Sequence, residues 1–400
     1  MASDGAGAFK VTIDLDRIRA DTPALNGQTF LLSAGASLMP DPVVDAVISY
    51  LRLEQAIGGY SAADQEEARL EGVYDSVARL LNAGRDEIAI VENATKAWQM
   101  AFYSLTWRPG DRILTGRAEY AANYVAYLQT AKRYGVEICV VPNDEYGATD
   151  PEALRAMLDD RVRLISITWI PTNGGLVNPA AEIGRIAREA GVLYLLDACQ
   201  AVGQMPVDVE ALCCDMLTAT GRKFLRGPRG TGFLYIRLDL LRRLEPPMID
   251  HFAAPWTSDN DYTLRDDARR FEVWENNYAA RLGLGVAVDY AVAVGLDAAQ
   301  ARSWALADRL RAGLGDLGGV EVLDLGRQKS AIVSFRVDGV EIRKVLGAAA
   351  AQKIVIGAST PDSTRLDSEA RGLSSILRAS PHYFNLDAEV DRLVEFCACL

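Results

Sequence analysis

At 400 residues the chain exceeds what one hydrophobic core usually organises, so at least two packing units are expected. Half of the residues are hydrophobic and 24% are charged, the balance of a folded globular protein rather than a fibre or a disordered chain. The net charge of −12 argues against nucleic acid and against anionic membrane surfaces as partners, because both need a basic patch.

The six cysteines, Cys139, Cys199, Cys213, Cys214, Cys397 and Cys399, form no CxxC pair and read as reduced and structural. Only His251 and His382 are available to a metal, so a zinc site is not expected. The start MASDGAGAFK lacks the charged-then-apolar pattern of a secretory signal, and no apolar run is long enough for a membrane span. A cytoplasmic location is the resulting expectation.

In chain order, short β-rich apolar runs stand at Glu87–Val91, Arg112–Thr115, Val136–Val141, Arg163–Thr168, Val192–Leu196, Met216–Ala219 and Gly232–Ile236. Segments such as Pro151–Leu158 and Ala180–Ala190 carry apolar residues at helical spacing between them. This alternation predicts an α/β domain with a mainly parallel sheet covered on both faces, and ligands beyond the carboxyl ends of its strands. Ala279–Gly295 is apolar on nearly every face and predicts a buried connecting helix. A smaller α+β unit follows, with helices at Ser303–Leu317, Glu341–Gln352 and from Ala388, and strands at Val320–Leu323, Ala331–Arg336 and Ser375–Ala379. The polar stretch Gly357–Gly372 reads as an exposed loop.

The chemistry concentrates in LYLLDACQAVGQMPVDV and TATGRKFLRGPRGTGFLY. Asp197 ends one strand and Lys223 stands just beyond the next. Singly, a strand-end Asp reads as a helix cap and a loop Lys as a solvated side chain. Together they fit pyridoxal phosphate (PLP), which needs a lysine amine for its Schiff base and a carboxylate to keep its pyridine nitrogen protonated. Upstream, IVENATKAWQM places Asn93-Ala94-Thr95 at a helix N-terminus, suited to a phosphate or to ordinary capping.

These segments, in this order, resemble the class V aminotransferases and cysteine desulfurases of PLP fold type I, from about Leu31 to Leu393. The resemblance implies an α/β large domain over residues 31–278, with a mainly parallel seven-stranded sheet between helices. An N-terminal arm over 1–30, and a connecting helix with a smaller C-terminal α+β domain over 279–400, complete the expected organisation. It further implies that Lys223 forms the Schiff base and shuttles the substrate's α-proton, that Asp197 pairs with the pyridine nitrogen and that Gln200 hydrogen-bonds the phenolic oxygen. Ala94, Thr95, Thr220 and Arg222 would hold the phosphate, Tyr120 would stack on the ring, and Arg378 would grip the substrate α-carboxylate. Thr172 and Asn173 in WIPTNGGLVNP, and Tyr60 in IGGYSA, are further substrate-side candidates. A homodimer with active sites at the interface and an amino-acid substrate are also implied.

The chain departs from that pattern in four places. Arg222 replaces a common His before the lysine, and Tyr120 stands where desulfurases stack a His. In FEVWENNY, Glu275 falls where relatives offer a small hydroxyl or amide to the neighbouring subunit's phosphate, and Trp274, Trp169 and Tyr60 are candidates for walls of an enlarged pocket or for plain core. Finally, the 357–372 segment, GASTPDSTRLDSEARG, has no cysteine, whereas desulfurases carry their nucleophile there. Cys199, two residues after Asp197, is expected to point away from the site. The resemblance extends to isopenicillin-N-epimerase-like proteins and to C–S lyases of the ergothioneine and lincosamide type. The leading expectation is therefore β-elimination from an S-substituted cysteine. Decarboxylation coupled to oxidative deamination, transamination, epimerisation, or a binding role on a degenerate PLP fold are the alternatives.

Overall fold

The structure, a computed structural model, describes residues 13–400. The segment MASDGAGAFK and the first part of the expected 1–30 arm lie outside the described residues. Seven strands form the main sheet: β1 (Ile88–Val91), β2 (Arg112–Thr115), β3 (Glu137–Val140), β4 (Val162–Thr168), β5 (Leu193–Asp197), β6 (Met216–Thr220) and β7 (Gly232–Ile236). Their order is β1-β7-β6-β5-β4-β2-β3. Only β7 runs antiparallel to its neighbours; every other pairing is parallel.

Side-chain alternation along these strands serves two separate cores. Ile88, Ile90, Tyr194, Leu196 and Leu217 enter the larger cluster, while Ala89, Val91, Leu195 and Met216 enter the other. Both faces are therefore buried, which is why the strands read as continuous apolar runs. The second cluster is roofed by helices α1 (Ala94–Tyr103) and α2 (Ala121–Tyr134), through Trp98, Phe102 and Tyr127.

Helix α3 (Tyr278–Val294) is the predicted buried helix. It packs on helices Asp41–Ile57 and Glu67–Leu81, and Asn277 Oδ1 caps it by accepting from the Ala280 amide at 2.9 Å. Gly295, at φ 87°, breaks the chain before α4 (Leu296–Gly315), which begins well before the expected Ser303. No single helix among the described residues is long and apolar enough to cross a membrane.

The second sheet contains β8 (Val320–Val322), β9 (Val333–Val337), β10 (Gly357–Ser359) and β11 (Ile376–Ala379), in the order β8-β9-β11-β10 and antiparallel throughout. The expectation of an exposed loop over Gly357–Gly372 is corrected here. That segment is strand β10, a short turn and the helix Arg365–Ala370, with Thr364, Asp367 and Ser368 buried. The cause is the Asp367 carboxylate, which accepts from Asn173 Nδ2 at 2.8 Å and from Arg371 at 3.2 Å. The described part of the N-terminal arm is also tied down. Thr29–Phe30 pairs with Ile354–Val355, and Ile18, Leu25 and Phe30 pack with Tyr290, Tyr383 and Phe384.

Candidate active site

Strands β4, β5 and β6 and the start of α1 converge at one end of the main sheet on a cavity of about 420 Å³. Its lining includes Ala94, Thr95, Tyr120, Thr172, Asp197 and Lys223, with Gln200, Thr220 and Arg222. It lies beyond the carboxyl ends of parallel strands, where loops diverge and leave a crevice.

Each side chain has a structural reason for its place. Asp197 is the last residue of β5 and buried; its Oδ1 accepts from the Cys199 amide and its Oδ2 from Asn123 Nδ2, both at 3.0 Å. Thr220 ends β6, and the turn after it carries Lys223. Gly221 is obligatory there, because a Cβ would sit 2.2 Å from Thr231 Oγ1. The far side of the turn is held by Arg226, which is buried and adopts φ 61°. Its guanidinium donates to Leu38 O at 2.9 Å, to Tyr383 Oη at 3.1 Å and to Thr22 Oγ1 at 2.5 Å, and it lies 4.8 Å from the Phe384 ring centre.

At α1, Asn93 Oδ1 caps the Lys96 amide at 2.9 Å, while helix geometry leaves the Ala94 and Thr95 amides without intrahelical acceptors. Gly232 of β7 lets this helix start approach the sheet: a Cβ there would lie 2.7 Å from the Asn93 carbonyl carbon and 2.9 Å from the Ala94 nitrogen. Gln200 Nε2 donates to Ala34 O at 3.1 Å and to Thr172 Oγ1 at 3.3 Å. Arg378, on β11, donates to the Thr172 carbonyl and hydroxyl at 2.6 and 2.7 Å. The small unit thereby delivers an arginine to the rim of the cavity.

The electrostatics favour an anionic occupant. Burial pushes the Lys223 amine below its ordinary value, and burial followed by the Arg222 charge pushes Arg378 down to about 10. Burial likewise lowers Arg222, with Arg229 adding to the effect. Cations crowded in this way are stabilised by phosphate or carboxylate.

Some expectations are not met within one chain. Asn173 is buried but turned to Asp367, away from the cavity lining. Tyr60 is 80% exposed and lines a separate recess of about 580 Å³ with Trp274 and Glu275. Trp169 belongs to the core. Cys199 does not point away: the chain turns after Asp197, the Cys199 amide donating to Asp197 Oδ1, and Cys199 lines the cavity. Burial first, and then Asp197, hold its thiol well above the ordinary value, so it stays protonated.

Sequence reasoning also missed Glu119, Asn123 and Thr168. Asn123 and Thr168 line the cavity, and Glu119 is buried behind them. For Glu119 and Asn123 the one signal was their spacing in EYAAN, four apart across a helix start; Thr168 offered none.

The family model for "Aminotransferase class-V" matches residues 29–393. The chain is 32% identical over 94% of its length to a probable cysteine desulfurase of Methanothermobacter thermautotrophicus, covering 96% of that protein. It is 31% identical over 95% of its length to a cysteine desulfurase of Pectobacterium atrosepticum, again covering 96% of the relative. Among solved structures, the cysteine desulfurase CsdA of Escherichia coli aligns with TM-score 0.89 at 25% identity, over 96% of this chain and 98% of that one. The branches containing epimerase-like proteins and conjugate lyases are not distinguished by these matches. Proteins of this class depend on PLP, and the cavity fits that group. Gln200 Oε1 is buried in its lining without a partner, and the α1 start with Arg222 and Lys223 suits a phosphate. From its matched residues, its sheet and its cavity, the chain is a member of the class V aminotransferase family of PLP-dependent enzymes.

Proposed function

We propose that this protein is a C–S lyase that releases a thiol from an S-substituted L-cysteine by β-elimination, without forming a persulfide on itself. The observation carrying this reading is the pair of facts about sulfur nucleophiles. The 357–372 segment holds no cysteine, and the one thiol lining the cavity, Cys199, is kept protonated by burial. A protonated thiol is a poor attacker of sulfur.

PLP, when bound, supplies an electron sink that lowers the barrier to breaking bonds at an amino acid's α-carbon. The chain's own groups then divide the work. The amides of Ala94 and Thr95, with Thr220 and Arg222, would anchor the phosphate. Asp197 would face the ring nitrogen, Gln200 the phenolic oxygen and Tyr120 the ring. Arg378 would hold the substrate α-carboxylate and set which α-carbon bond faces Lys223. Lys223, with an amine more often neutral because its pKa is lowered, would hold the cofactor and then accept the α-proton. The Cβ–S bond breaks with its electron pair leaving on sulfur, and water converts the remaining unsaturated amine to pyruvate and ammonium.

The test is product analysis of purified, PLP-loaded protein over a panel of S-substituted cysteines and free cysteine. Equimolar thiol and pyruvate from a conjugate support the reading. Alanine with an enzyme-bound persulfide from free cysteine, carbon dioxide with an aldehyde, or a racemised amino acid would each overturn it.

A further inference from the structure

Glu119, Asn123 and Asp197 form a buried chain running from the interior to the cavity. Glu119, Asn123 and Asp197 are 4%, 3% and 6% exposed, so solvent does not screen their contacts. Asn123 Nδ2 donates to Glu119 Oε1 at 2.9 Å and to Asp197 Oδ2 at 3.0 Å. Both neighbours are carboxylates, so only the NH₂ end of the amide satisfies this position, and its two protons are both used. The opposite rotamer would aim the amide oxygen at two acceptors.

Glu119 is itself held from several sides. Thr115 Oγ1 donates to Oε2 at 3.0 Å, the Tyr120 amide donates to Oε1 at 2.8 Å, and the Thr168 hydroxyl donates to Oε1 as well. Thr115 and Thr168 are the last residues of β2 and β4, and Tyr120 opens α2. The carboxylate of Glu119 therefore ties two strand ends to one helix start. An apolar residue at 119 would leave the Thr115, Thr168, Tyr120 and Asn123 donors without their acceptor.

We propose that Glu119 is a positioning residue: through Asn123 it fixes the orientation of the Asp197 carboxylate, so that the oxygen not taken by Asn123 is presented to the cofactor's ring nitrogen. This rests on the reading that Asp197 serves that nitrogen. Asp197 Oδ1 accepts from the Cys199 amide, whereas the hold on Oδ2 comes from Asn123. Without Glu119, the Asn123 amide can rotate and the carboxylate loses its reference.

The experiment uses full-length protein reconstituted with PLP labelled with ¹⁵N at the ring nitrogen, comparing wild type, Asn123→Ala, Glu119→Ala and Glu119→Gln. Glutamine can keep its oxygen toward Asn123, Tyr120 and Thr168 while its NH₂ donates to Thr115, so it preserves the hold without the charge. The expected result is a protonated ring-nitrogen signal in wild type and in Glu119→Gln. Asn123→Ala and Glu119→Ala should shift toward the unprotonated signal while circular dichroism stays native. A wild-type signal in folded Glu119→Ala would overturn the assignment, as would Glu119→Gln behaving like Glu119→Ala. If one alanine variant does not fold, the other carries the same comparison. Wild-type protein that takes up no PLP would end the underlying cofactor reading instead.

Discussion

Lys223 and Arg378 make the sharpest demands on individual side chains. Lys223→Ala is expected to abolish the visible absorbance of lysine-bound PLP, measured by spectrophotometry after loading and gel filtration. Arg378→Lys keeps the charge but loses the planar fork, and a lost hydrogen bond to a charged group costs about 1.5–3 kcal/mol. That corresponds to a rise in KM of roughly 10- to 100-fold, read by steady-state kinetics with whichever substrate the product screen identifies. Glu119 gives a pH prediction. Burial, opposed by its hydrogen bonds and reinforced by Asp197, raises it to about 7. A carboxyl raised on folding adds stability that is complete below its unfolded value and is lost as pH climbs through about 7. Between pH 4 and pH 8 the apo-protein should lose about 3 kcal/mol from this group, and Glu119→Gln should remove that slope in urea unfolding curves. Lys223 and Asp197 were legible in the sequence because each stands at or just past the end of a buried strand. The direction of Cys199 and the reach of Asn123 to Asp197 were not, because both depend on how the strand ends turn in space.

Among elements, the approach of β7 to the start of α1 is the tightest. Gly232→Ala would place a methyl against backbone atoms of Asn93 and Ala94. Overpacking of this kind costs about 1–3 kcal/mol, and here the helix start that yields is the one offered to phosphate. PLP affinity by fluorescence titration should therefore fall more than thermal stability suggests. His382 joins two other elements: its Nε2 donates to Phe224 O at 2.7 Å, in the lysine turn, and its Nδ1 stands 3.4 Å from the hydroxyl of Ser303 in α4. Burial, then the Arg226 charge, depress it to about 3. A histidine depressed on folding contributes stability above its unfolded value near 6.5 and loses it as pH falls toward about 3. His382→Gln, which can still donate to Phe224, should flatten the acid limb of the stability curve. The main strands were readable from composition. The 357–372 segment was not, because Asp367 is buried by Asn173, 194 residues away in sequence.

At the scale of the molecule, the recess holding Tyr60 and Trp274 is apart from the Lys223 cavity. Met39, Ile48, Leu51, Ile57 and Tyr60 are all exposed on one stretch of chain, the kind of apolar residue that a partner subunit would cover. We expect a homodimer near twice the 43.5 kDa chain mass by light scattering, and Tyr60→Asp combined with Trp274→Asp should shift it toward monomer. Composition was silent on this, because it reports how many apolar residues exist and not which stay uncovered.

Arg226 carries a practical consequence for trimming the chain. Its guanidinium clasps Thr22 and the Leu38 carbonyl on one side while its backbone closes the turn bearing Lys223 on the other. A truncation beginning near residue 30 would leave every residue of the cavity in place, yet it would remove one of the anchors of that turn. The shortened protein should fold around its sheet and release its cofactor more readily, so the shortest chain that folds and the shortest that functions have different first residues.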